Sequence, residues 1–124
     1  MSMKEFKEIF ITEAEHQISL AENGIEDLKA GNDDEETLSI IKRAFHTLKG
    51  NSATMGFDKM FKLSKALNDL SEKIIEKVII LDDNSINYLS RGPKILVNAI
   101  SCIKEDKPEE FNDENLTQEI NNIL

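Results

Sequence analysis

The stretch MKEFKEIFITEAEHQISLAENGIEDLKA, Met3 to Ala30, decides the fold class. Phe6, Ile9, Phe10, Ala14, Ile18, Ala21, Ile25 and Leu28 recur within it at three- and four-residue intervals, the spacing that lays one apolar stripe along an α-helix. At 1.5 Å per residue such a helix is about 40 Å long. A stripe of that length cannot be buried by the helix that carries it, so further helices of similar length must follow.

They do. Gly31-Asn32 is a stop signal, and the acidic run Asp33-Asp34-Glu35-Glu36 suits the positive end of a new helix dipole. The second helix turns Leu38, Ile41, Phe45, Leu48 and Ser52 inward and ends near Met55-Gly56-Phe57. Asp58 is the expected N-cap of the third, whose stripe is Met60, Leu63, Leu67, Leu70 and Ile74, extending to Val78. Val78-Ile79-Ile80-Leu81 is β-branched but has no partner strand, and so reads as a helix end and connector. A fourth helix begins after Asp82-Asp83 and uses Ile86, Leu89, Leu96, Val97, Ile100 and Ile103, with a kink or break expected at Gly92-Pro93. The pattern predicts an all-α, up-down antiparallel four-helix bundle over residues 1–104. Residues 105–124 form an acidic linker and a short amphipathic helix with Phe111, Leu116, Ile120, Ile123 and Leu124. This tail either docks as a fifth helix or frays, and it is expected to lead into the rest of a longer protein.

The chain has 124 residues, 40% of them hydrophobic and 31% charged, which is the composition of one globular domain. Its net charge of −9 argues against nucleic-acid or anionic-membrane partners, both of which need clustered cations. No run approaches the roughly 20 apolar residues of a membrane span, and no signal peptide opens the chain, so a cytoplasmic location is expected. The single cysteine, Cys102, allows no internal disulfide and reads as core packing.

The charge is unevenly spread. From residue 42 to 65, Lys42, Arg43, Lys49, Lys59, Lys62 and Lys65 stand against Asp58 alone, a local +5 that leaves −14 for the remainder. His46 lies in this island. Lys42 precedes it by four residues and Lys49 follows by three, so both ammonium groups share its helix face. Two nearby cations disfavour a third charge and so favour the neutral imidazole, whose free lone pair is a nucleophile. Gly50, one turn on, costs a helix about 1 kcal/mol relative to alanine. With the small Ser52 and Ala53 it clears an approach for another protein. A nucleophile, flanking cations and a bare patch together suggest a histidine that accepts a phosphoryl group and is read by a docking protein. His16, with no such neighbours, reads as a surface residue.

The run Ala44-Phe45-His46-Thr47-Leu48-Lys49-Gly50-Asn51-Ser52-Ala53-Thr54-Met55-Gly56-Phe57 closely resembles the signature of the histidine phosphotransfer (HPt) family, nearest to the amino-terminal phosphotransfer domains of chemotaxis kinases of the CheA type. The resemblance covers nearly the whole chain. It implies that His46 is phosphorylated on Nε2 by a kinase ATP-binding domain and passes the group to an aspartate of a response-regulator receiver. Lys49 would steady the phosphoryl group, and Lys42, Gly50 and Ala53 would lie under the docked partner. ATP and Mg²⁺ would be used by the partner kinase, since this chain has no glycine-rich phosphate loop. No cofactor or metal is expected on the chain itself.

One departure stands out. Chemotaxis members typically place a glutamate on the third helix to accept from the Nδ1–H of the phosphoacceptor, often with a histidine three residues before it. Those positions here are Asn68 and Lys65. An asparagine carbonyl can still accept that hydrogen bond, but it supplies no negative charge and Lys65 adds a positive one, so a slower phosphoacceptor is expected. Asp69, one position on, would point about 100° away. A rival reading is a helical module that binds a regulator without carrying phosphate. A metal-binding bundle fails because no carboxylates sit at inward positions.

Overall fold

The computed structural model describes all 124 residues as five helices: α1 (Met3–Lys29), α2 (Glu35–Met55), α3 (Asp58–Ile75), α4 (Asp83–Lys104) and α5 (Leu116–Ile123). Among the first four, each helix packs on its neighbours in the chain, and α4 closes the ring onto α1, with no contact across either diagonal. This is the up-down four-helix bundle. The tail docks, with α5 lying against α3 and α4. Its Leu116 and Ile120 are fully buried, and Arg91 on α4 holds Asp113 and Glu119, each at 2.7 Å.

The helix ends follow local chemistry. Ser2 and Glu5 form a capping box on α1, Asp34 accepts from the Thr37 amide at 2.8 Å to cap α2, and Asp82 and Ser85 box α4. Gly56 closes α2 in the left-handed conformation at φ +78°. The N-cap of α3 departs from expectation. Phe57, not Asp58, occupies it, because the Gly56 turn sends the Phe57 ring onto Phe10 of α1, centroids 5.2 Å apart. Asp58 is thereby drawn into the first helical turn. Capping comes instead from the tail, where Oε1 of Glu109 accepts from the Met60 amide at 3.0 Å. Burial pushes the Glu109 carboxyl above its ordinary range, opposed by the Met60 and Lys59 amides.

The core contains the expected inward residues of α2 and α3, but four apolar positions lie elsewhere. Phe6 and Ile9 are 47% and 55% exposed. Ile9 sits about 100° around the helix from Phe10, and Phe6, near the start of α1, borders the end of α2 but is only partly covered by it. Val78 is exposed because α3 ends at Ile75, and Val97 is exposed while Ile95, not anticipated, is buried. Cys102 is only half-buried. No break occurs at Gly92-Pro93, since α4 runs on through both. Gly92 serves packing there: a Cβ on it would lie 2.5 Å from Cδ1 of Leu67. No helix is long and apolar enough to cross a membrane.

Candidate functional site

α2 carries most of the candidate residues on one face. Burying Leu38, Ile41, Phe45, Leu48 and Ser52 leaves the neighbouring stripe of Lys42, His46, Lys49, Gly50 and Ala53 outward, since residues four apart overlap on a helix face. His46 is exposed, and Lys42 and Lys49 are half-buried beside it. A hollow on this face is lined by Ser39, Lys42, Arg43 and His46, so cationic side chains border the imidazole. Lys42 reaches across to Glu72 on α3 at 3.6 Å, while Arg43 and Lys49 make no ion pair.

Gly50 is exposed and a Cβ built on it meets nothing within 4 Å. Its missing side chain is therefore not required by the chain's own packing. Ala53 is exposed beside it, but Ser52 is fully buried and takes no part in the bare patch. The Thr54 hydroxyl donates to the Gly50 carbonyl at 3.1 Å and so folds back along the exposed helix surface. One turn beyond, Asn51, Thr54 and Met55 join Phe6, Ile9, Phe10 and Glu13 of α1 in an apolar groove. The sequence reading placed Phe6 and Ile9 in the core and so missed this groove. The available signal was the position of Ile9, off the stripe traced by Phe10, Ala14 and Ile18.

α3 supplies the other side of the site. Asn68 is buried, 5% exposed, and its Oδ1 has no hydrogen-bond partner. Its Nδ2 donates to Oδ1 of Asp69 at 3.3 Å. No hydrogen bond joins it to His46. Asp69, half-buried one position on, accepts from Lys65 Nζ through its other oxygen at 2.8 Å, an i,i+4 pair along α3. The positive charge anticipated from Lys65 is thus met by Asp69. Lys59 and Lys62 are likewise not open to solvent alone, since they border a hollow with Phe111, Glu114 and Thr117 of the tail. His16 is exposed on α1 with no charged partner.

The chain that carries this arrangement, an imidazole on an open helix face with cations around it and an unobstructed glycine one turn on, matches known proteins. A family model, the Hpt domain, aligns with residues 5–84. The chain belongs to the Hpt domain family. This Hpt domain is 25% identical over 105 residues to the chemotaxis protein CheA of Rhizobium meliloti (strain 1021), covering 85% of the chain and 14% of that relative. It is 33% identical over 72 residues to CheA of Halobacterium salinarum, covering 58% of the chain and 11% of the relative. The chain thus spans about a seventh or less of these relatives' length. Its fold is that of the phosphorylated P1 domain of CheA3, solved in complex with CheY6 from R. sphaeroides, with a TM-score of 0.87 at 20% identity over 98% of this chain and 96% of that one.

Proposed function

We propose that this Hpt domain carries a phosphoryl group on His46 between a kinase ATP-binding domain and a receiver aspartate of a response regulator, in chemotaxis-type signalling in the cytoplasm. The observation that carries the reading is the exposed His46 imidazole, bordered by Lys42 and Arg43, with clear space over Gly50 one turn away. The Nε2 lone pair attacks the terminal phosphorus of ATP held by the kinase, together with its Mg²⁺. An N–P bond forms as the P–O bond to the departing nucleoside diphosphate breaks, its electrons leaving on that oxygen. In the second step a receiver carboxylate oxygen forms the new O–P bond and the N–P bond breaks back onto Nε2. Both steps pass through a transition state rich in oxygen charge. Lys49, which has no competing ion pair, and the nearby Lys42 and Arg43 stabilise that charge.

Docking needs a surface free of obstruction around the reacting nitrogen. Gly50 and Ala53 provide it, and the apolar groove of Phe6, Ile9, Asn51, Thr54 and Met55 extends it by a further turn. The two polarities divide the work. Cations around His46 attract an acidic phosphoacceptor pocket, while apolar contact beyond Gly50 sets the register. The likeness to a phosphorylated P1 domain solved with CheY6 supports a receiver as the partner.

The test is a two-stage transfer. Incubated with a CheA catalytic domain, Mg²⁺ and ATP, the chain takes up phosphate, and a CheY-type receiver added next removes it while becoming labelled. A chain that binds the receiver yet takes no phosphate from a demonstrably active kinase would instead be a regulator-binding module.

A further inference from the structure

Asn68 raises a question that its own bonds do not answer. It is 95% buried and its Nδ2 is engaged by Asp69, yet its carbonyl oxygen is enclosed without a donor. Buried acceptors in native proteins are nearly always satisfied. The amide cannot turn over to relieve this, because its oxygen would then face the Asp69 carboxylate. Asp69 is itself fixed, with Oδ2 held by Lys65 at 2.8 Å while Oδ1 takes the Asn68 amide.

The helix register indicates what Oδ1 is for. Lys42 and Glu72 meet at 3.6 Å across the seam between α2 and α3. The helices are antiparallel, so one turn forward from Lys42 and one turn back from Glu72 arrive at the same level. Those positions are His46 and Asn68. The register thus puts Asn68 level with His46 on the facing helix, its donor side occupied and its acceptor side free, with no hydrogen bond between the two in this structure.

We infer that Asp69 is a positioning residue for the phosphoacceptor, acting through Asn68 in a relay from His46 Nδ1–H to Asn68 Oδ1 and from Asn68 Nδ2–H to Asp69 Oδ1, with Lys65 anchoring the far carboxylate oxygen. The inference rests on His46 being the phosphoacceptor. The relay performs two tasks. It holds the imidazole proton on Nδ1, leaving the Nε2 lone pair free to attack. It also sets a carboxylate, shared with Lys65, one hydrogen bond away from the amide that faces the ring, where the amide alone supplies no ionic group. Chains of hydrogen bonds polarise one another, so the carboxylate strengthens Asn68 as an acceptor just as the ring becomes cationic on forming its N–P bond. Asp69 would then do at one remove what a directly bonded carboxylate does elsewhere.

Imidazole nitrogen NMR on the intact chain reads the tautomer of His46 without any kinase, and the phosphorylation rate with a CheA catalytic domain and ATP reads the consequence. The wild type is expected to hold the proton on Nδ1. Asp69→Asn is expected to release it toward the Nε2–H form that a free imidazole favours and to slow phosphorylation about tenfold, the lower end of what losing a histidine's supporting partner costs. Glu76→Gln, which removes a like charge from the end of the same helix, should change neither. Asn68→Glu in the Asp69→Asn background should restore both readouts, which a merely structural role for Asp69 would not allow. An Asp69→Asn chain with unchanged tautomer and rate would overturn the relay while leaving phosphotransfer intact. A tautomer shift on Asp69→Asn, with a wild-type chain that never takes phosphate, would keep the relay and overturn the phosphotransfer reading.

Discussion

Three glycines lie inside helices of this bundle, and the chain's own packing requires only two of them. A Cβ on Gly24 would stand 2.6 Å from Cγ1 of Ile41, and one on Gly92 2.5 Å from Cδ1 of Leu67, both fully buried side chains that would have to shift. Gly50 has open space. The same substitution should therefore have opposite signs. Gly92→Ala is expected to lower stability by about 1–3 kcal/mol through overpacking, whereas Gly50→Ala should raise it by up to about 1 kcal/mol because alanine is the better helix former. Thermal or denaturant unfolding measures both. The price of the gain at Gly50 should appear in transfer: the stabilised variant is expected to pass phosphate to a receiver more slowly. Unimpaired transfer would show that the bare surface is not where the partner sits. From sequence, Gly50 reads as clearance and Gly92 as a kink or break. The first agrees with the open space found, and the second was invisible because Leu67 lies 25 residues away in the chain and only the α3/α4 packing brings it there.

At the scale of the elements, helix ends carry the least settled chemistry. Lys77 closes α3 in the left-handed region at φ +61°, with the Val78 amide bonded back to the Lys73 carbonyl at 2.9 Å. Glycine takes that conformation without steric cost, so Lys77→Gly is expected to stabilise the domain by about 1 kcal/mol, measured as a shift in the unfolding midpoint. α3 begins on a cap supplied from 49 residues downstream, the Glu109 carboxylate on the Met60 amide. No sequence pattern announces such a pairing, which explains why Asp58 was the natural choice from sequence. Glu109 is also titratable in a telling direction. Its carboxyl is raised in the folded chain by burial, so the fold binds its proton more tightly than the unfolded chain does. Its contribution is present in full below the ordinary carboxylate range near 4.5 and is lost as pH rises through the raised value. Asp34 and Asp106 run the other way. The Thr37 amide and Lys7 respectively hold their carboxyls down, and they support the fold above about 3.8 and fail it on acidification. Glu109→Gln keeps an acceptor for Met60 and removes the buried charge. Its unfolding temperature relative to wild type is therefore expected to rise from pH 4 to pH 7, and a flat difference would contradict the assignment.

For the whole molecule, the hydrophobic pattern made the bundle legible from sequence, because each of the four long helices must bury a stripe and only three others are available to cover it. The site was legible in outline for the same reason that α2 is regular: Lys42, His46, Lys49, Gly50 and Ala53 are fixed on one face by the burial of the next. Electrostatics was less legible. A +5 island counted along the chain meets acids from elsewhere once folded, Glu72 at Lys42, Asp69 at Lys65 and the tail's Glu114 beside Lys59 and Lys62. Arg43 and Lys49 are left unpaired nearest His46, so folding concentrates the free positive charge on the face of α2 that carries His46 instead of spreading it along two helices. The apolar groove at Phe6 and Ile9 was hidden because periodicity within α1 does not show which flank of its stripe α2 covers. All of this converges on one nitrogen atom. The most direct measurement is to phosphorylate the chain with a CheA catalytic domain and ATP and to map the modification by mass spectrometry and phosphorus–nitrogen NMR. A single acid-labile, alkali-stable phosphate on Nε2 of His46, absent from His46→Gln, is expected. Phosphate on His16 or on a hydroxyl, or label that persists in His46→Gln, would contradict it.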